Sequence, residues 1–153
     1  MATKRTASAA WTGGLKDGKG TVATGSGTLK NAPYTFAMRF ENAPGTNPEE
    51  LIAAAEAGCY AMALSADLGD AGFKPERINA DAAVTLDTAD GKPTLTGLHL
   101  TVRAKVPKID AKKFQEIANG TKSGCPVSRA LNIKVTSTPA LVGSSTRDDR
   151  FQS

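Results

Sequence analysis

Two cysteines, Cys59 and Cys125, are the residues of this sequence best placed to do chemistry. A thiol acts as a nucleophile only through its thiolate, so the surroundings of each cysteine decide its use. Cys59 lies inside a long apolar stretch, LIAAAEAGCYAMALSADLGDAG. A thiol buried in the middle of such a helix is held neutral unless a cation stands beside it. Arg39, in YTFAMRF, is the candidate cation. Cys125 lies in SGCP, directly before Pro126. Proline suits the first position of a helix, which makes Cys125 the N-cap of a short one. A helix N-terminus favours a thiolate, so from helix-end electrostatics alone Cys125 is the better nucleophile. An inert reading stands beside this one: a mid-helix Cys is commonly core and a lone strand Arg commonly a surface charge.

The elements that must position these residues are legible in outline. Ala7–Trp11 and Gly20–Thr24 read as short strands around an Asp17-Gly18 turn. After the turn region GSGTLKNAP, Tyr34–Phe40 alternates, with aromatic residues and Met38 on one face and Arg39 on the other, which predicts a half-buried strand. Asn47 is a good N-cap, Pro48 fits the first helical position, and Glu49 and Glu50 favour the positive end of the helix dipole. Glu50 is placed to close a capping box. The helix runs to about Gly69 or Gly72. Because it is apolar nearly all round, it is expected to be buried on most sides, between sheets or against a partner chain.

Two further strands, Arg77–Leu86 and Thr94–Val106, flank an Asp-Gly turn, with an irregularity at Gly97. Ile109-Asp110 opens a second helix, which SGCP breaks, and VSRAL makes one more turn. Asn132–Leu141 is a last strand. Helices do not alternate regularly with strands, so the fold class is α+β. The polar tail, residues 143–153, is expected to be disordered, leaving 1–142 as a single domain.

Composition removes several function classes. The chain has 153 residues, 40% hydrophobic and 22% charged, an ordinary globular balance for one domain. The formal charge of +4 comes from scattered residues such as Lys4, Arg5, Lys74 and Lys112, with few aromatics, so nucleic-acid binding is a weak reading. No segment reads as the ~20 apolar residues of a membrane span, and the polar N-terminus lacks the apolar stretch of a secretory signal. A cytoplasmic location is the default, where two cysteines are not a disulfide scaffold. His99, the only histidine, sits on an alternating strand with no metal-binding spacing around it. The glycines at 18, 20, 25 and 27 form no phosphate-binding motif.

The segment Thr46–Ser65, TNPEELIAAAEAGCYAMALS, strongly resembles the first-cysteine helix of the OsmC/Ohr family of hydroperoxide reductases. SGCPVSRAL, from Ser123 to Leu131, resembles its second-cysteine motif. The resemblance covers about residues 5 to 142, and the two motifs together are highly specific. An arginine at position 39, just before the first-cysteine helix, looks like the OsmC branch; Ohr proteins carry theirs earlier, near the first hairpin.

The resemblance implies a fold of β-sheets wrapped around long central helices in an intertwined homodimer. It implies that Cys59 is the peroxidatic cysteine and Cys125 the resolving one, which reverses the ranking from helix-end electrostatics. Arg39 is then the residue that holds Cys59 as thiolate, and Glu49 the residue that pairs with Arg39. A guanidinium in a dry pocket outweighs half a unit of helix-end charge. The implied activity is reduction of organic hydroperoxides through a Cys59 sulfenic acid and a Cys59–Cys125 disulfide, with a dithiol reductant, typically a lipoylated protein. No metal, haem or flavin is implied. Glu49 and Cys59 are ten residues apart on one helix, about 15 Å along its axis. If both serve one pocket, either Arg39 spans the distance or a partner's helix, packed antiparallel, brings its Glu49 to Cys59. The rival functions are a non-enzymatic redox sensor and a stress-induced structural dimer with inert cysteines.

Overall fold

Three short strands open the fold: β1 (Ala7–Thr12), β2 (Lys19–Thr24) and β3 (Ala32–Thr35), paired antiparallel in that order. They belong to a computed structural model describing residues 1–143. The chain divides into two compact units, Met1–Leu51 and one beginning at Ile52. In the first unit, Gly20 lies opposite both Trp11 and Tyr34, whose ring centroids are 5.3 Å apart. A Cβ at Gly20 would stand 2.6 Å from the Tyr34 ring and 2.7 Å from the Trp11 ring, so the tilted ring pair requires glycine there.

The strand expected over Tyr34–Phe40 is corrected. Pairing stops at Thr35, and Phe36–Phe40 forms a short helix, α1. The cause is local. Thr35 caps the helix, its Oγ1 accepting from the Met38 N–H at 3.3 Å. Phe36 and Phe40, one turn apart, pack with centroids 4.8 Å apart. Arg39 therefore projects from a helix, not a strand.

The long helix α2 (Pro48–Asp70) begins as expected: the Asn47 Oδ1 accepts from the Glu50 N–H at 2.8 Å. The capping box does not close, because the Glu50 carboxylate takes the Thr46 hydroxyl instead, at 3.0 Å. At the far end Gly72 adopts φ +86°, and the Phe73 N–H reaches the Leu68 carbonyl at 2.8 Å, a Schellman termination. Within the single chain α2 is buried along one stripe, and the expectation that no segment suits a membrane span is corrected. Beyond its first turn only the stripe Glu56, Tyr60, Leu64 and Leu68 is fully buried; Ala54, Ala55, Gly58 and Met62 are exposed, Met62 at 78%. By length and composition α2 is also apolar enough to cross a membrane, a measure that the core helix of a globular chain meets as well.

The second unit is built on β4 (Arg77–Ala89) and β5 (Lys92–Lys105), an antiparallel hairpin. Its turn places Asp90 and Gly91 at φ 51° and 73°, the left-handed pair that a tight hairpin demands. The ladder shifts between Thr85 and Leu86, opposite Gly97 and Leu95, where the sequence marked an irregularity. The chain then forms α3 (Ala111–Gly124), capped by Asp110, and α4 (Pro126–Ala130), and returns as β6 (Lys134–Leu141), parallel to β5.

Alternate residues of β5, Leu98, Leu100, Val102 and Ala104, share one core with Tyr60, Leu64 and Leu68 of α2 and Phe114 and Ala118 of α3. Each large apolar side chain buried there contributes roughly 1.5–3 kcal/mol. Helices and sheets are thus mixed as the α+β reading required. Of the tail expected to be disordered, residues 144–153 lie outside the described residues.

Candidate active site

Cys59 and Cys125 meet. Their sulfurs are 2.9 Å apart and both thiols are free. Cys59 sits at the middle of α2 and is partly exposed, while Cys125 is fully buried behind it. Cys125 ends α3 and caps α4. Its N–H donates to the Thr121 carbonyl at 2.9 Å, and its carbonyl accepts from the Arg129 N–H at 3.0 Å. Pro126 forbids α3 from continuing, which fixes the bend that presents the sulfur.

The helix-end argument favouring Cys125 is corrected by this geometry. The Cys125 side chain makes no capping bond to α4. It is Cys59 that is stabilised as thiolate by the backbone N–H of Val127, in the first turn of α4. That help is outweighed within the unit. Burial is the first cause that pushes the Cys59 thiol up, followed by its hydrogen bond with Cys125 and then the charges of Cys125 and Glu56. A thiol so placed needs a cation to ionise at neutral pH.

Two residues here were not singled out from sequence. Glu56 is fully buried one turn before Cys59. It accepts a hydrogen bond from the Ser128 hydroxyl on Oε1 at 2.5 Å, and Cys125 Sγ lies 4.0 Å from its Oε2. The available signals were a lone charge in an apolar helix, three residues before a cysteine, and a serine three residues after the other.

Arg39 and Glu49 also meet, in the first unit. Arg39 Nε reaches the two Glu49 oxygens at 3.0 and 3.2 Å, and Nη2 reaches Oε1 at 2.8 Å. This is the fork geometry that favours arginine over lysine. Glu49 is nearly buried, whereas the Arg39 side chain is 38% exposed and lies against the Phe40 ring. Asn47 does more than cap α2. Its Nδ2 donates to the Met38 carbonyl at 3.0 Å, tying α1 to the first turn of α2 and so holding Arg39 against Glu49. His99 is exposed between Thr136 and Thr138, within 2.6 and 2.7 Å of their hydroxyls, the satisfied histidine that its strand suggested.

Two free thiols in contact, one on a core helix and one at a helix junction of an α+β fold, have the geometry of a dithiol–disulfide couple. The model of the OsmC-like protein family matches residues 40–138, and the chain belongs to that family. It is 50% identical over 126 residues to "Peroxiredoxin OsmC" of Escherichia coli (strain K12), covering 82% of this chain and 88% of that one. It is 33% identical over 99 residues to "Organic hydroperoxide resistance protein" of Xanthomonas axonopodis pv. citri (strain 306), covering 63% and 68%. Among solved structures, the organic hydroperoxide resistance protein OhrB of Bacillus subtilis superposes with a TM-score of 0.64 at 27% identity, over 90% of this chain and 98% of that one. The OsmC branch read from position 39 agrees with these identities, although the arginine stands on a helix.

Proposed function

We propose that this chain is a cysteine-based peroxidase that reduces organic hydroperoxides to alcohols. The observation that carries the reading is the pair of free sulfurs 2.9 Å apart, one partly exposed and one buried behind it. A peroxide reaches Cys59 and not Cys125. The Cys59 thiolate attacks the distal oxygen, the alcohol leaves, and Cys59 becomes a sulfenic acid. Cys125 already lies within bonding reach and condenses with it to a disulfide and water. A dithiol, such as a lipoyl group on a partner protein, then exchanges with the disulfide and restores both thiols. The close relation to a named peroxiredoxin and the likeness to organic hydroperoxide resistance proteins support this cycle.

Arg39 supplies the cation that Cys59 needs, and Glu49 holds its guanidinium. Nη1 takes no part in the fork with Glu49, which leaves it to meet a thiolate or a peroxide oxygen. Because α2 is unbroken from Pro48 to Asp70, Glu49 and Cys59 stand about 15 Å apart along it. A homodimer reconciles the two pairs. Two copies of α2 packed antiparallel about Ala54 bring Glu49 of one level with Cys59 of the other. Exposed Ala54, Ala55 and Gly58 allow that close approach, and such packing covers the exposed apolar side of the helix. The protein works in the cytoplasm, where dithiol reductants are maintained.

The test is intact mass before and after one equivalent of cumene hydroperoxide. Loss of two hydrogens without retained oxygen is expected, and continuous peroxide consumption when a dithiol is supplied. Cys59→Ser should reduce consumption to the uncatalysed background. Full activity in that variant sinks the assignment, and disulfide formation without turnover would mark a sensor instead.

A further inference from the structure

Glu56 is a carboxylate at zero exposure inside an apolar helix, and the cycle above gives it no task. Burying such a group carries a heavy desolvation cost unless it is well paired. Among the described residues no cation pairs with it; its partners are the Ser128 hydroxyl on Oε1 and the Cys125 thiol at Oε2. A leucine at this position would fill the core at no such cost, so the carboxylate asks for a chemical reason.

The resolving step supplies one. Cys125 attacks only as thiolate, and at zero exposure it has no water to take its proton. The thiol has two acceptors in reach, Cys59 Sγ at 2.9 Å and Glu56 Oε2 at 4.0 Å. In the reduced protein the nearer sulfur serves. Once Cys59 carries oxygen, its sulfur is the electrophile and the sulfenic oxygen is a weak base, so the carboxylate is the strongest base in reach.

We propose that Glu56 is the proton acceptor of the resolving cysteine, with Ser128 as the positioning residue that aims Oε2 at Cys125. The inference rests on the peroxidase reading. Glu56 takes the thiol proton, and the Cys125 thiolate attacks the Cys59 sulfur. The S–S bond forms as the S–O bond breaks, and the departing hydroxide collects the proton from Glu56 and leaves as water. The carboxylate is regenerated, and the oxidising equivalent once carried by Cys59 is shared between the two sulfurs. No further reactant is needed. The same carboxylate opposes ionisation of Cys59, so removing its charge should spare or speed the first step while slowing the second.

The experiment mixes reduced protein with one equivalent of cumene hydroperoxide. Samples are quenched over time with a dione that alkylates sulfenic acids and then weighed intact. Wild type should pass to the disulfide with little trapped oxygen. Glu56→Gln keeps the volume and an acceptor for Ser128. It should still oxidise Cys59 but close the disulfide about a hundredfold more slowly, the low end of what a general base contributes, so that the trapped sulfenic acid accumulates.

The slow closure in Glu56→Gln should climb about tenfold per pH unit towards the ordinary thiol range, because the thiol must then ionise unaided. A merely displaced Cys125 gives a deficit that does not recover in this way. The neighbouring Tyr60, pushed up to about 12, is silent over that range. Closure at the wild-type rate in Glu56→Gln overturns the proposal and leaves the peroxidase reading standing. Absence of any oxidation at Cys59 in wild type overturns both. Should Glu56→Gln not fold, Ser128→Ala takes its place: closure slowed about tenfold with Cys59 oxidation retained supports the proposal, and unaltered closure overturns it.

Discussion

The two residue pairs proposed to share one chemistry are assembled in opposite ways. Arg39 and Glu49 are ten residues apart in sequence, joined through a short helix and a capped turn, with the arginine more than a third exposed. Cys59 and Cys125 are sixty-six residues apart and meet only because α2, α3 and β5 have closed a core around them. An ion pair this exposed is worth about 0–1 kcal/mol to the fold, so stability does not explain its fork geometry. The thiol pair is the reverse: its position is enforced by burial, and the same burial holds Cys59 in the wrong protonation state. The core fixes where the sulfur is, whereas a short local element fixes the Arg39–Glu49 fork; in the cycle proposed above, the second supplies the charge that makes the first reactive.

The largest break in this comparison should come from Arg39→Met. With the cation gone, sulfenic acid formation at neutral pH should fall about a hundredfold, the equivalent of two pH units in thiolate availability. The sign follows from burial. A thiol pushed up is mostly protonated at neutral pH, so the variant's rate should rise with pH where wild type is already near its plateau. Stopped-flow oxidation across pH 6–10 checks this, on the order of the ordinary thiol range. Stability should move by less than about 1 kcal/mol. A parallel loss of stability and rate would show that Arg39 is structural and erase the contrast.

The complementary break is in the core. Tyr60, beside Cys59, donates to the Ala118 carbonyl at 2.9 Å and so binds α2 to α3. Burial, with Asp67, Cys125 and Glu56 after it, pushes the phenol up to about 12. The folded value lies above the ordinary 10.0, so this contribution is fully present below pH 10 and lost as pH rises towards 12. At ~1.4 kcal/mol per unit, the alkaline loss approaches ~3 kcal/mol. Tyr60→Phe should flatten that alkaline limb in urea titrations. At neutral pH it should cost about 1 kcal/mol for the missing hydrogen bond.

What the sequence disclosed follows the same division. Features set by a few neighbouring residues were legible: the Asn47 cap with Pro48, the Asp90-Gly91 hairpin, and the bend that Pro126 forces at Cys125. Tyr34–Phe40 misled because its apolar residues satisfy two periods at once. Tyr34, Phe36 and Phe40 alternate as in a strand, yet Phe36 and Phe40 also lie one helical turn apart, and Thr35 decides the contest by capping. Glu56 is not legible as a site residue, because no local pattern discloses that Ser128 and Cys125 fold back onto it from 72 and 69 residues away. The helix-end argument at Cys125 meets a related limit, since the Cys125 side chain makes no capping bond to α4. A helix end was correctly placed, but the sulfur that its N–H serves comes from another helix.

The finest test separates capping from positioning at Asn47, which does both. Its Oδ1 accepts from the Glu50 N–H while its Nδ2 donates to the Met38 carbonyl. Asn47→Ala loses both and should cost about 1 kcal/mol of stability, the usual worth of an N-cap. Asn47→Asp keeps an acceptor at the positive end of α2 and so keeps the cap. It has no donor for Met38, and its charge faces that carbonyl. If Arg39 is delivered to the thiol by a local element that must be held in register, Asn47→Asp should leave the unfolding midpoint near wild type. Sulfenic acid formation should nonetheless slow a few-fold, because α1 is no longer tied to the turn that carries Glu49. An aspartate variant matching wild type in both rate and stability would mean that the Arg39–Glu49 fork holds its own position, with the Asn47 bridge incidental to it.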